Sequence, residues 1–323
     1  MDKSQQDLLR RFERLVSSGR MAHAYLFIGP SLVGKTTMAF HLAKLINAGI
    51  SAQDILDGRD EENAVASRIE ARNHPDVQLI ELEEEETSIK IQKVRELIGR
   101  SQLRPFEAEK KIFIVRDAET MTTDGANALL KTLEEPTSTS LLILTTAHPE
   151  KILSTVRSRC QAVHFFPLLP ADVEKELQKT SGVQEEQAHF LALYSEGCLG
   201  QALRLHEEKF FDRKNEIIDN MVYKRNNEND LKDLGSDKGL GQDTLKVLLS
   251  WFRDVMLLKI GVEESRLMNK DRILQLRQEF QRYSVEQLDA CIDQIVETFR
   301  MMEENLNVKI PFILLREKIW ARL

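Results

Sequence analysis

The stretch GPSLVGKTT constrains the fold of this chain more than any other feature of its sequence. It matches G-x-x-x-x-G-K-[ST] in full, and it stands between an apolar run and a helical pattern, as a phosphate-binding loop requires. Glycines let successive backbone N–H groups turn toward phosphate oxygens, and the following helix adds the positive end of its dipole. The residues predicted to bind a nucleotide are Gly29, Pro30, Ser31, Val33, Gly34, Lys35, Thr36 and Thr37.

Two residues of this loop have separate predicted tasks. Lys35 would reach the β- and γ-phosphates of ATP or ADP, and the Thr36 hydroxyl would ligate Mg²⁺. An ordinary strand–helix turn is the competing interpretation. The motif therefore predicts the shape of a phosphate site, and whether a nucleotide occupies it is a separate question.

Five short apolar runs follow one another through residues 1–167. They read AYLFIG, VQLIEL, IFIVRD, LLILTT and QAVHFF. Each is apolar on both faces and is separated from the next by helix-sized material such as KTTMAFHLAKLINA. This pattern predicts an α/β domain in which helices cover both faces of a parallel sheet.

The remainder of the chain predicts helices. Prolines at 167 and 170 open a small helical domain over residues 168–208, and PADVEKELQKT has the early proline and the acids of a helix start. Residues 209–323 are predicted to form an all-helical domain. It is interrupted by RNNENDLKDLGSDKGLGQD, a polar stretch that predicts a mobile loop.

Composition excludes several classes of function. The net charge of −7 disfavours strong unaided binding to nucleic acid. No apolar run is long enough to span a membrane. The cysteines, Cys160, Cys198 and Cys291, form no CxxC pair, which favours a reducing cytoplasm over a disulfide framework.

Further motifs are similar to those of bacterial clamp-loader proteins of the AAA+ class. They are AHAYLFIGP, IKIQKVRELI, RPFEAEKKIFIVRDAETMT, NALLKTLEEP and TTAHPEKILSTVRSRC. The chain most resembles the delta-prime subunits of DNA polymerase III, with the gamma/tau subunits as nearby relatives, over about residues 5 to 210. The closing NLNVKIPFILLREKIW resembles the helical collar of the family. The resemblance implies an AAA+ domain, a helical lid and an oligomerisation collar over the three segments above.

One departure from the gamma/tau pattern concerns hydrolysis. In those relatives an Asp-Glu pair ends the strand that precedes NALLKTLEEP, and the family spacing puts Arg116 and Asp117 in these places. Shifting the match to the family pattern by one residue would make Asp117 the magnesium ligand, but it would leave Ala118 in the Glu position. A cation opposes Mg²⁺, and loss of the acid removes a general-base effect of roughly 10²–10⁴-fold. Gly200, in GCLGQAL, also replaces an arginine of those relatives.

The resemblance also suggests an arginine that acts in trans. In the motif SRC, Arg159 matches the family arginine that reaches a neighbouring subunit's nucleotide, an effect of roughly 10³–10⁵ in rate in known cases. Arg157 is the near alternative, and a surface arginine is the simpler interpretation. Thr146 matches the polar sensor position at a strand end, where a capping hydroxyl is equally expected.

A zinc site is not expected. Relatives often carry four cysteines between the P-loop helix and the second strand, but the corresponding span here has none, and His74 alone cannot hold zinc. The predicted cofactors are therefore ATP or ADP with Mg²⁺, without zinc.

The resemblance implies a cytoplasmic clamp-loader subunit of the delta-prime type. It would present Arg159 to a gamma/tau neighbour, assemble with gamma/tau and delta subunits, and help load the sliding clamp on primed DNA, with little ATP turnover of its own. One alternative is an active gamma/tau-like motor in which Asp117 or Glu119 replaces the missing pair. Another is a nucleotide-sensing binding module unrelated to replication.

Overall fold

The computed structural model describes residues 3–83, 86–224, 238–304, 306 and 308–320. The chain divides into two compact units, Met1–Leu168 and Leu169–Leu323. The division of the second unit into a lid at 168–208 and a collar at 209–323 stays a prediction.

The first unit is a parallel sheet with helices on both faces. Strands β1 to β5 are Ala24–Ile28, Val77–Ile80, Lys111–Val115, Ser140–Thr146 and Gln161–His164. Helices α1 to α7 are Lys3–Ser17, Lys35–Asn47, Ala52–Leu56, Ala64–Glu70, Ile91–Ser101, Thr123–Glu134 and Ser154–Arg157. The strands pair in parallel in the order β2-β3-β4-β1-β5. All five predicted strands and the α/β class are confirmed.

Side chains of β1 show why both faces of the sheet need cover. Tyr25 and Phe27 enter a core with α1 and α2, whereas Ala24 and Leu26 enter a second core with α5 and α6. Successive side chains of a strand point to opposite faces, so an unbroken apolar strand requires two layers of helices.

Helix α1 is anchored to the sheet by aromatic contacts. The Phe12 ring lies 5.5 Å from the Tyr25 ring and 5.9 Å from the Phe27 ring, centroid to centroid. Leu9 and Phe12 are buried in the same core. Helix α1 is therefore a fixed part of the first unit.

The regular elements of the second unit are all helices within its described residues. Helices α8 to α15 are Pro170–Ser181, Glu185–Tyr194, Leu199–Glu207, Phe210–Ile218, Lys238–Lys259, Ile273–Arg282, Val285–Glu303 and Lys309–Trp320. Pro170 opens α8, as predicted. No helix within the described residues is both long enough and apolar enough to cross a membrane.

The loop predicted at residues 225–243 is wrong in its last part. Residues 225–237 lie outside the described residues, but Lys238 begins α12, and residues 238–243 are helical. The fully buried Leu245, Leu248 and Trp251 bind this helix to its neighbours. Packing downstream thus overrides the low helix propensity of a Gly-bearing polar start.

A buried cation lies inside the second unit. The Lys214 side chain is 0% exposed, and its Nζ lies 2.7 Å from Oδ2 of Asp271. The same Nζ lies 4.7 Å from the Phe190 ring centroid and 4.4 Å from that of Phe211. Burial lowers the pKa of Lys214 to about 8, against the opposing attraction of Asp271. This ion pair links α11 to the segment that precedes α13.

Candidate functional site

The predicted phosphate-binding loop joins the end of a strand to the start of a helix, as its motif requires. It leaves β1, passes Leu32 and Gly34 at φ values of +59° and +98°, and enters α2 at Lys35. Gly34 is the N-cap of α2 and has no side chain to bond the first N–H groups of the helix. Those groups and the helix dipole suit an anion, so the geometry fits a nucleotide phosphate.

The loop lies at the carboxyl edge of the sheet, where ligands bind in open α/β folds. The Gly29 N–H donates to the Thr146 carbonyl at the end of β4, at 3.1 Å. Ile28 and Thr146 are partners in the parallel register of β1 and β4. The sheet order thus brings the loop and Thr146 together.

Gly29 is required for a close approach that the sequence did not reveal. A Cβ atom at this position would lie 2.4 Å from the carbonyl oxygen of Phe165, which follows β5. The Phe165 N–H donates to Ile28 O at 2.7 Å, so neither segment is free to move apart. Only glycine fits between the loop and the chain that follows β5.

Replacement Gly29→Ala should therefore lower the free energy of unfolding by about 2–3 kcal/mol, since the backbone must shift to remove the overlap. Urea denaturation would measure the effect. Gly99→Ala is the matched control, because a Cβ on Gly99 in α5 meets no heavy atom within 4 Å. The control should gain about 0.5–1 kcal/mol from helix propensity. Equal midpoints for Gly29→Ala and wild type would refute the close approach.

Lys35 lies inside the loop. It is buried, and its Nζ donates to the carbonyl oxygens of Gly29 and Pro30, both at 2.6 Å. Thr36 follows in the first turn of α2 and is partly buried, while Ser31 and Thr37 are exposed. The ammonium group is thus held by two carbonyl oxygens at the start of the loop.

The Thr146 hydroxyl closes a turn. Thr146 is fully buried, and its Oγ1 accepts the His148 N–H at 3.0 Å. This contact matches the capping alternative raised from the sequence. The sensor role of Thr146 stays a prediction.

At the end of β3, Arg116 forms an ion pair on the side of β2. Its guanidinium lies 3.0 Å from Oε2 of Glu81, which directly follows β2, and 3.6 Å from Oδ2 of Asp117. Asp117 adopts a left-handed conformation with φ of +50°, and its N–H donates to Oγ1 of Thr145. Nothing in the sequence indicated that Glu81 is the partner of Arg116. The pair holds a cation at the strand end where hydrolysis would need two acids.

Glu119, the acid that the motor alternative would use, is bound to the backbone. Its Oε1 accepts the Ala147 N–H at 3.0 Å, directly after β4. Its Oε2 is buried without a hydrogen-bond partner among the described residues. In this arrangement the carboxylate fastens the turn after β3 to the end of β4.

Arg159 lies near the surface, with its side chain 35% exposed. One guanidinium nitrogen lies 2.7 Å from Oε1 of Glu134, the last residue of α6, and the other donates to Thr155 O at 2.9 Å. Arg157 donates instead to the Pro149 carbonyl. An ion pair this exposed contributes about 0–1 kcal/mol, so Arg159 can exchange Glu134 for another anion at small cost. Apart from the motif NALLKTLEEP, which contains Glu134, nothing in the sequence indicated that Glu134 contacts Arg159.

Cys160 and His74 bear on the expectations about cysteine chemistry and zinc. Burial raises the pKa of the Cys160 thiol to about 12, which keeps it protonated at neutral pH. His74 is buried and accepts the Asp76 N–H through Nδ1. Within the described part of the chain, no three His, Cys, Asp or Glu side chains are placed to hold a metal. The expectation of no zinc stays a prediction.

Two family models match this chain, one in each compact unit. A model described as DNA polymerase III, delta subunit, matches residues 4–168, just over half of the chain. A model described as DNA polymerase III, delta subunit, C terminal, matches residues 215–316.

Individual relatives are also subunits of DNA polymerase III. A Bacillus subtilis protein named DNA polymerase III subunit delta′ is 27% identical over 320 residues, which cover 96% of this chain and 94% of that protein. An Escherichia coli protein named DNA polymerase III subunit tau is 32% identical over 214 residues, covering 63% of this chain and 32% of that protein.

Among solved structures, a gamma subunit-related DNA polymerase III protein from Thermotoga maritima matches with a TM-score of 0.51 at 19% identity. The match covers 96% of this chain and 99% of that one. At this identity the likeness concerns the fold alone.

Proposed function

Since this chain belongs to the DNA polymerase III delta subunit family and is a clamp-loader subunit of the delta-prime type, we propose that it works as a stator and trans-activator. Its phosphate-binding loop takes up ATP or ADP with Mg²⁺ and turns it over little. Arg159 acts on the nucleotide of a neighbouring subunit.

The main observation behind this proposal is the contrast between the GPSLVGKTT loop and the end of β3. The loop retains its glycines, Lys35 and a helix whose N-cap, Gly34, makes no side-chain capping hydrogen bond, and these features favour nucleotide binding. At the end of β3, however, Arg116 is paired with Glu81. Hydrolysis needs an acid to support the metal and orient water, and a guanidinium supplies neither function.

Arg159 supports the second part of the proposal. Its guanidinium is partly exposed and held by a surface carboxylate, Glu134, so a phosphate on another subunit can compete for it. A guanidinium placed at a neighbour's γ-phosphate stabilises the charge that develops during transfer. The chain would then contribute to catalysis at a site it does not itself contain.

The proposed partners follow from the same family. They are gamma/tau and delta subunits, and through the assembly the sliding clamp and primed DNA, all in the cytoplasm. The net charge of −7 agrees with DNA contacts being shared with partners.

Phosphate release by the purified chain tests its own turnover. With saturating Mg-ATP, wild type and Lys35→Ala should both release phosphate at background rate, because the strand end lacks the acid pair. Calorimetry in parallel should detect binding of Mg-ADP by wild type and none by Lys35→Ala. Turnover by wild type that Lys35→Ala abolishes would overturn the stator proposal in favour of a motor.

A further inference from the structure

We infer that Gln5, on helix α1, is a positioning residue that aims the Gly34 N–H at a bound phosphate. This inference rests on the proposed function, since it presupposes that the loop takes up a nucleotide. The observation behind it is a hydrogen bond in which Gln5 Nε2 donates to the carbonyl oxygen of Val33 at 2.8 Å.

The geometry of a peptide bond gives this contact its meaning. The peptide between Val33 and Gly34 is trans, so its C=O and N–H point in opposite directions. Because Gln5 binds the Val33 oxygen from the side of α1, the Gly34 N–H points away from α1. That N–H is one of the loop donors that a phosphate uses in this motif.

Without such a contact the peptide is free to turn over. A flip would change φ of Gly34 from +98° to about −80°, and glycine tolerates both values. The flipped peptide would present the Val33 oxygen to the phosphate, where it repels the anion. Gln5 therefore selects the orientation that binds.

The packing of helix α1 against the core fixes the position of Gln5. Gln5 shares one face of α1 with Leu9 and Phe12, at helical spacing, and both of these residues are buried in the core of the first unit. Its amide also packs directly on the loop, since a Cβ on Gly34 would lie 2.9 Å from Gln5 Nε2. The rigid sheet thereby fixes the amide that orients the loop.

Titration calorimetry with Mg-ADP tests the inference on the full chain. Gln5→Leu, which removes the donor at nearly constant volume, should bind about tenfold more weakly, because one hydrogen bond to a charged phosphate is weakened. Gln5→Glu, whose carboxylate cannot donate to Val33, should show at least the same loss. Gln6→Leu carries the same change on the next residue of α1 and should bind like wild type.

A second readout separates positioning from general loosening. The Gly34 amide resonance, assigned by its absence in Gly34→Ala, should shift on adding Mg-ADP to wild-type chain labelled with ¹⁵N-glycine. The shift should be smaller in Gln5→Leu at saturation. Weaker binding with a full Gly34 shift, or equal binding by both Gln5 variants and wild type, would overturn the inference and leave the proposed function intact. Failure of wild type to bind Mg-ADP would overturn both.

Discussion

Replacement Arg159→Ala should reduce ATP hydrolysis at the neighbouring gamma/tau site that faces this chain, on the order of 10³-fold. The loss follows from removing a guanidinium that stabilises charge on the transferring phosphate. It should leave the stability of this chain almost unchanged, because the Glu134 pair that also disappears is exposed. Single-turnover hydrolysis by the reconstituted assembly is the direct measurement.

Three further variants make this experiment decisive. Arg159→Lys keeps the charge but loses the planar fork, and should recover only part of the rate. Glu134→Gln removes the intrachain partner of Arg159 and should preserve activation. Arg157→Ala tests the alternative arginine, whose guanidinium donates to the Pro149 carbonyl. If Arg157→Ala is the more damaging change in assemblies of normal composition, the assignment of Arg159 is wrong.

Replacement Asp271→Asn should lower the free energy of unfolding by about 3 kcal/mol at pH 6 and by less than about 1 kcal/mol at pH 8. Lys214 is fully buried and loses its counter-ion in this variant, so its pKa falls below the wild-type value of about 8. Below pH 8 the wild-type native state binds a proton that the variant's native state does not. The variant therefore loses about 1.4 kcal/mol relative to wild type for each pH unit below 8, until Lys214 of the variant also becomes protonated.

Urea denaturation at several pH values measures this dependence. The double variant Lys214→Met with Asp271→Asn has no titrating amine at this position and should lose the pH dependence. Asp172→Asn is the surface control, since its partner Lys175 lies 3.8 Å away and both are exposed. It should stay within about 0.5 kcal/mol of wild type. A cost for Asp271→Asn that does not change between pH 6 and pH 8 would contradict the titration of Lys214.

The sequence alone specifies those features of this protein that depend on residues close together along the chain. The loop GPSLVGKTT, the five apolar strands and the start of α8 at Pro170 each depend on local backbone preferences or on a short periodic pattern. The departure at Arg116 was visible for the same reason, because its position is counted back from the motif NALLKTLEEP on the next helix. The predicted loop was wrong over residues 238–243, where buried side chains downstream decide the helix.

What only the tertiary structure decided is which distant side chains meet. Gln5 and Val33 are separated by 28 residues, Arg116 and Glu81 by 35, and Lys214 and Asp271 by 57. No periodic pattern links such pairs, since their distance depends on the order of strands in the sheet and on how helices pack. A local motif can therefore specify the shape of a phosphate-binding loop. The side chains that orient its peptides and hold the charges beside it are set by packing, because a hydrogen bond or an ion pair forms only when the fold brings both partners together.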